Sequence, residues 1–368
     1  MGHTVNSDIK NGRVSVVIPS FNHCRFIGQA VGSVLSQTYE NIECIVIDDG
    51  SSDGSVEYLR DRYSSDPRFI LSARENRGAH ATINEAIASS SGEFIGILNS
   101  DDVYQPKRVE TLLDVQREIA GPSFLISELE VIDDQGRPMS ESGPAHYYAA
   151  MSKKVSALPD AAVFLAGNVA MTTSNFFFTR TTWETVGEFR GLRYTHDWDW
   201  ALRASEIATV MRVREGLLQY RVHGRNTISE SNIWKHIVEN SVIFACKLLR
   251  AGLDETARIV GLDRASVTAT LLRNESFLPV PVMHLLASGR SEYDLIKGVF
   301  DQSIEQELKE VHRLGESGLD IFLSVKHIVG RIQDSTQRPQ QVAPPGSGGR
   351  RESIVGRLRG LMKPGFPR

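Results

Sequence analysis

Cysteine is scarce in this chain: Cys24, Cys44 and Cys246 are the three in 368 residues. They are too few and too scattered for a disulfide framework or a paired-cysteine metal knuckle, so they read as free core thiols in a reducing compartment. No run of about 18 apolar residues occurs, which excludes an expected membrane-spanning helix, and Met1 to Asn11 lacks the apolar stretch of a secretory leader. Positive charge is not in excess either. With 41 Lys and Arg against 45 Asp and Glu, the formal net charge is −4, which argues against a nucleic-acid partner. No G-x-G-x-x-G follows a strand signal, no G-K-[ST] phosphate loop is present, and no internal repeat is found. What is left is an ordinary globular composition, 41% hydrophobic and 23% charged, with material for a large core and more than one domain. A cytoplasmic location is expected.

What is present is concentrated in three segments: Val14 to Asn22, Ile45 to Gly54, and Phe94 to Asp102. Each is an apolar, β-branched run that stops at small, polar or acidic residues. Helical apolar spacing over Gln29 to Leu35, Val56 to Tyr63 and Ala79 to Ser89 separates strand signals at Ile42 to Ile47, Phe69 to Leu71 and Glu93 to Leu98. Strand and helix alternate, so an α/β fold with a mainly parallel sheet sandwiched by helices is expected. The carboxyl ends of parallel strands share one edge, where ligands bind, and the three polar tips would converge there. A helix from Pro106 to Arg117 and a strand from Phe124 to Ile132 follow. The stretch from Gly143 to Phe178 resists assignment, apart from a buried strand at Asn175 to Phe178.

From Asn232 to Ile332 the pattern is helical, broken at Pro279-Val280-Pro281. The expected organisation is an N-terminal tail (1–12), an α/β domain (13–230), a helical appendage (231–335), a flexible Gln/Pro/Gly/Ser linker (336–349) and a basic amphipathic tail (350–368). In the tail, Ile354, Val355, Leu358, Leu361 and Met362 share one face among five basic residues. Contact with an anionic membrane surface and a solvated basic tail are both open readings.

Several polar clusters admit both a structural and a chemical reading. Asp101-Asp102 at a strand end is either an acidic turn or an oxygen donor pair for Mg2+ or Mn2+. A calcium loop starting at Asp49 fails, because Arg60 stands where the closing glutamate belongs. His196-Asp197-Trp198-Asp199-Trp200 supplies either helix caps and core, or a base for an attacking hydroxyl. His223 is either a satisfied surface histidine or a metal partner beside carboxylates.

Taken in order, Pro19-Ser20-Phe21-Asn22, Asp48 to Asp53, Asn76-Arg77-Gly78 with Asn84, Gly92-Glu93-Phe94, Asn99-Ser100-Asp101-Asp102, His196 to Asp199 and Tyr220-Arg221-Val222-His223 resemble the family 2 glycosyltransferases of the GT-A fold, over about residues 13 to 230. The resemblance implies that Pro19, Ser20, Phe21, Asn22 and Asp49 contact the base and ribose of a nucleoside diphosphate sugar, with Arg77, Asn84, Asn99, Ser100 and Asp101 completing the donor contacts. It implies Asp102, Asp101 and His223 as ligands of Mn2+ or Mg2+, Asp102 foremost, and Asp197, with Arg203 six residues on, as general base. Two departures stand out: Asn99 replaces the first aspartate of the family's DxD pattern, and His196 replaces the glutamate before the base.

The implied reaction is inverting transfer from a nucleoside diphosphate sugar, most simply UDP-linked, to a saccharide or lipid-linked acceptor in cell-envelope polysaccharide assembly. Trp198, Trp200 and the Gly143 to Phe178 stretch are the expected acceptor walls. Peripheral contact at the inner face of the cell membrane through residues 350–368, and oligomer formation, are left open. A nucleotidyltransferase or an inactive sugar-nucleotide-binding scaffold are the alternatives. A glycosidase is disfavoured, since the nucleotide-type tips would have no purpose.

Overall fold

The structure, a computed structural model, describes residues 12–224 and 233–316. By packing, the chain divides into one unit ending at Leu278 and a second beginning at Pro279. The expected linker, the basic tail at 350–368 and most of the N-terminal tail lie outside the described residues.

The first unit is built on an eight-stranded sheet in the order β3-β2-β1-β4-β7-β6-β8-β5. Its first half is parallel: β1 (Val14–Ser20), β2 (Ile42–Asp48), β3 (Phe69–Ala73) and β4 (Phe94–Ile97), linked through α1 (Cys24–Leu35), α2 (Ser55–Tyr63) and α3 (Ala79–Ser89). Val14, Val16, Val17 and Ile18 of β1 are fully buried, as expected of a strand covered on both faces. The helix α1 starts five residues before the apolar spacing suggested, because the His23 carbonyl accepts from the Phe26 and Ile27 amides at 2.8 and 2.9 Å.

The second half of the sheet is mixed. It comprises β5 (Val103–Tyr104), α4 (Arg108–Gln116), β6 (Ser123–Ile132), α5 (Gly143–Val155), α6 (Val163–Ala166), β7 (Phe177–Thr179), α7 (Arg180–Val186), α8 (His196–Ala204) and β8 (Thr209–Arg221). The short β7 runs antiparallel to β4 and β6, β8 is parallel to β6, and β5 pairs antiparallel with β8. The sequence pattern did not indicate β8, because its charged residues interrupt the apolar alternation. Asn175, expected in a strand, instead ends a 3-10 turn over Thr173–Asn175. Its amide bonds the backbone of Ser127 in both directions, at 2.9 and 2.8 Å, and the buried Arg108 guanidinium donates to its carbonyl at 3.0 Å.

Two helices, α9 (Ile233–Val260, kinked at Gly252) and α10 (Arg264–Leu272), belong to the same unit as the sheet. Division by packing therefore falls at the Pro279 break and not at 230/231. Inside this unit Phe244 of α9 packs edge-on against Trp198 of α8 at 5.3 Å. The second unit carries α11 (Pro279–Ala287), α12 (Glu292–Phe300) and α13 (Ser303–Glu316), with Leu285, Leu295, Ile304 and Leu308 buried. Among the described residues, no helix is long and apolar enough to cross a membrane.

Candidate active site

The order β3-β2-β1-β4 places the tips of β1, β2 and β4 side by side, and the chain reverses its direction of travel across the sheet between β1 and β4. At the β1 tip Asn22 adopts φ 52°, a left-handed conformation that asparagine tolerates. There its amide nitrogen donates to Ser51 Oγ at 2.7 Å, while its side-chain oxygen accepts from the Ser52 amide at 2.9 Å. Asp48, buried, accepts from the Ser51 amide and hydroxyl at 2.7 Å each and from Ser20 Oγ at 3.1 Å. Gly50 completes the turn at φ 85°, where a side chain would also press on the Arg74 and Asn76 backbone. Asp49 accepts from the Arg77 amide at 2.8 Å, the Gly78 amide at 2.9 Å and the Arg74 guanidinium. Phe21 stands 46% exposed beside this tip, and Arg77 is exposed. Asn84 is not with this group: its amide is bonded in both directions to the backbone of Phe189, at 2.8 Å each.

The β4 tip separates the two adjacent aspartates. Asp102 turns inward and is 1% exposed; it accepts from Ser174 Oγ at 2.5 Å, Thr172 Oγ1 at 3.4 Å and the Arg221 amide at 2.8 Å. Burial, and then the charge of Asp101, push its carboxyl well above the usual range. Asn99 is engaged by the same turn, donating to Thr172 Oγ1 and accepting from Thr173 Oγ1 at 2.8 Å each. Asp101 instead meets His223 Nε2 at 3.0 Å, and ligand atoms of His23, Asp101 and His223 all lie within 4.8 Å of one another. The expectation that Asp102 is the foremost ligand does not fit this geometry, since its oxygens already serve β8 and the 172–174 segment.

One carboxylate and two imidazoles form a donor set that suits a divalent cation. Sequence reading passed over His23, although it directly follows the Pro19 to Asn22 motif. Ser100 Oγ lies 2.7 Å from His23 Nδ1. Arg221 locks the rear of the site by donating to the Asp101 carbonyl at 2.7 Å, the Asp133 carbonyl at 2.9 Å and Gln29 Oε1 at 2.6 Å.

Asp197 stands in the first turn of α8 and is 7% exposed. One oxygen accepts from the Trp198 amide at 2.7 Å and the other from Asn168 Nδ2 at 2.8 Å. The approach to α8 is held from α9: buried Glu239 accepts the Arg193, Tyr194 and Thr195 amides at 2.9, 2.8 and 3.0 Å, and the Thr195 hydroxyl at 3.1 Å. Burial, and then the charges of Asp102, Asp101 and Asp197, push the Tyr220 hydroxyl upward. Neither tryptophan is an acceptor wall. Trp200 is fully buried among Phe124, Phe176, Phe178 and Phe189, and Trp198, 5% exposed, donates its indole N–H to the Phe164 carbonyl at 2.8 Å. Asp199 is likewise internal, paired with Arg203 at 3.0 Å. Asn168 and Glu239 carried no local signal, the first lying in the unassigned stretch and the second inside a plain helical pattern.

Residues 15–139 match the family model described as Glycosyl transferase family 2. An uncharacterized glycosyltransferase of Rickettsia prowazekii is 23% identical over 315 residues, covering 84% of this chain and 95% of that one. A chondroitin synthase of Escherichia coli is 28% identical over 216 residues, covering 58% of this chain and 29% of that one. Among solved structures, S. aureus TarS 1–349 superposes with a TM-score of 0.54 at 18% identity, over 82% of this chain and 92% of that one. Its complexes with UDP and with UDP-GlcNAc give 0.51 and 0.50. The segment 15–139 is thus similar to glycosyl transferase family 2, and the shared sheet architecture shows that the chain has the GT-A fold.

Proposed function

We propose that residues 13–230 transfer a sugar, with inversion, from a nucleoside diphosphate sugar to a hydroxyl of a saccharide or lipid-linked acceptor in cell-envelope polysaccharide assembly. The observation that carries this reading is the placement of Asp101 and His223, 3.0 Å apart at the β4 tip, beside the β1 and β2 tips. UDP is the favoured base carrier, supported by the TarS complexes with UDP and UDP-GlcNAc. A saccharide acceptor is supported by the relative named chondroitin synthase.

In this reading Phe21 flanks the base, and the Asn22–Ser51–Ser52 bonds keep the β1 and β2 tips at a fixed spacing around the ribose. Asp49 already holds three donors, and a carboxylate takes about four, leaving capacity for one base N–H. Mn2+ or Mg2+ at Asp101 and His223 would offset charge on the departing diphosphate. Asp197 takes the proton of the acceptor hydroxyl; its carboxylate is oriented by Asn168 and the Trp198 amide. Trp198 and Phe164, both buried and joined through the indole N–H, would limit water on that side. The basic segment 350–368 would bring the enzyme to a lipid-linked acceptor.

Calorimetric titration of UDP, GDP and dTDP, with and without Mn2+, into wild type and Asp101→Ala tests the proposal. Metal-dependent binding of one nucleotide, lost in the variant, is expected. No binding of any of the three to a folded sample overturns it.

A further inference from the structure

We infer that His23 is the third protein ligand of the cation, so that the site is a two-histidine, one-carboxylate set that selects manganese-class ions over magnesium. The inference rests on the reading of Asp101 and His223 as donor-site residues, and adds to it a ligand and a metal preference.

The first observation is distance. An ion with bonds of about 2.1 Å holds neighbouring ligand atoms about 3 Å apart. Asp101 Oδ2 and His223 Nε2 are 3.0 Å apart, and a ligand atom of His23 lies within 4.8 Å of both. The hydrogen bond between Asp101 and His223 lies along a line that a shared ion would replace.

The second observation is what His23 does not do for its own helix. It occupies the N-cap of α1, a position that favours Ser, Thr, Asp or Asn, and its side chain makes no cap bond. The ring turns instead across the β4 tip, with Nδ1 2.7 Å from Ser100 Oγ. A partner on one ring nitrogen is the usual device for orienting a metal-ligating imidazole and directing the other nitrogen at the ion.

The third observation is rigidity. The residue before it, Asn22, is clamped to Ser51 and Ser52 in a left-handed conformation. The His23 ring stands edge-on to the His223 ring at 5.5 Å and 89°, and Phe26 stacks on His223 at 5.0 Å. The Arg221 guanidinium sits 5.1 Å from the centre of the Phe26 ring. Both imidazoles are therefore oriented by their neighbours before any ion arrives.

The preference follows from the donors. Mg2+ favours oxygen ligands and retained water, whereas imidazole suits the borderline first-row ions. With Asp102 committed to Ser174, Thr172 and Arg221, Asp101 is the one carboxylate of this tip in the cluster. An all-oxygen set at this tip would rest on Asp101 with water and diphosphate oxygens and would leave both imidazoles unused.

The test is Mn2+ titration of the full chain by electron paramagnetic resonance, alone and with UDP, with Mg2+ as competitor, on wild type, His23→Ala, His23→Gln and Ser100→Ala. Electron spin-echo modulation counts nitrogen ligands directly. Expected are two nitrogens in wild type and one in His23→Ala, a loss of Mn2+ affinity of at least tenfold, and a change in Mg2+ affinity of less than threefold. Ser100→Ala should lie between wild type and His23→Ala, and it reports on the same ligand if His23→Ala fails to fold. Unchanged Mn2+ affinity and nitrogen count in a folded His23 variant overturn the inference while leaving the transferase proposal standing. Loss of Mn2+ in His23→Ala, with UDP binding indifferent to metal in wild type, supports the cation site and refutes the metal-dependent donor binding of the transferase proposal.

Discussion

Replacing Glu239 with alanine removes one carboxylate from α9 and leaves four donors of the 193–195 segment without their acceptor. The consequences differ among them. Arg193 is exposed, so its amide can turn to water. Tyr194 is half-buried, and Thr195 is 5% exposed, so its amide and hydroxyl are stranded. An unmet buried donor costs about 1–3 kcal/mol. Allowing full cost for the Thr195 amide, part for Tyr194 and little for Arg193, the destabilisation should be about 2–4 kcal/mol. That is a sizeable share of the 5–15 kcal/mol typical of a folded domain. The activity should fall further than stability alone requires. Thr195 is the N-cap residue of α8, and Asp197 follows two positions later, so a loosened entry displaces the proposed base. Glu239→Gln keeps one oxygen but turns an amide NH2 toward the backbone donors, and should fall between. Urea unfolding measures the stability loss, and native-state hydrogen exchange at Tyr194 and Thr195 locates it. Sugar transfer should fall at least tenfold with UDP binding retained. A Glu239→Ala protein within 0.5 kcal/mol of wild type, with both amides still protected, would refute this account of how α9 supports the site.

The two adjacent aspartates should part under substitution. Asp101→Asn should lower metal-dependent nucleotide affinity at least tenfold with stability changed by less than about 1 kcal/mol, whereas Asp102→Ala, by stranding the Arg221 amide and the Ser174 hydroxyl, should destabilise by about 2–4 kcal/mol; calorimetry and melting curves separate the two. Asn168→Ala should reduce kcat while the donor KM holds, and Asn168→Asp should reduce it more, because a second carboxylate would face Asp197 across 2.8 Å. Equal losses in both variants would point to simple misfolding of the 167–171 segment. In the second unit the His284 ring, and then the Arg290 guanidinium, hold Glu307 down to about 2. A depressed carboxylate stabilises above its unfolded value and ceases to as pH falls through its folded one. The melting temperature of wild type should therefore exceed that of Glu307→Gln near pH 5, and the gap should close between about pH 4.5 and about pH 2; a gap that persists at pH 2 would contradict the pairing.

The strands β1, β2 and β4, the helices between them and the convergence of their tips were legible in the chain before folding, because side-chain periodicity and chain-stopping residues are local properties. The order of motifs was enough to single out Asn22, Asp49, Asp101, Asp197 and His223 as candidates. Less of the second half was legible. Strand β8 mixes charges into its alternation, and β7 is three residues long, so each exists because a neighbour pairs with it. The division of labour within Asp101-Asp102 lies beyond any local pattern. Two neighbouring carboxylates differ here only because Ser174, Thr172 and the Arg221 amide close on one of them, while His23 and His223 approach the other. The same holds for Asn84, Asn99 and Trp200, whose partners arrive from distant segments, and for Glu239, a helical glutamate whose carboxylate meets four donors across the unit. The sequence by itself determined which chemistry the sheet edge carries; only tertiary packing, which sets each group's neighbours and its access to water, decided which of those groups remain available for it.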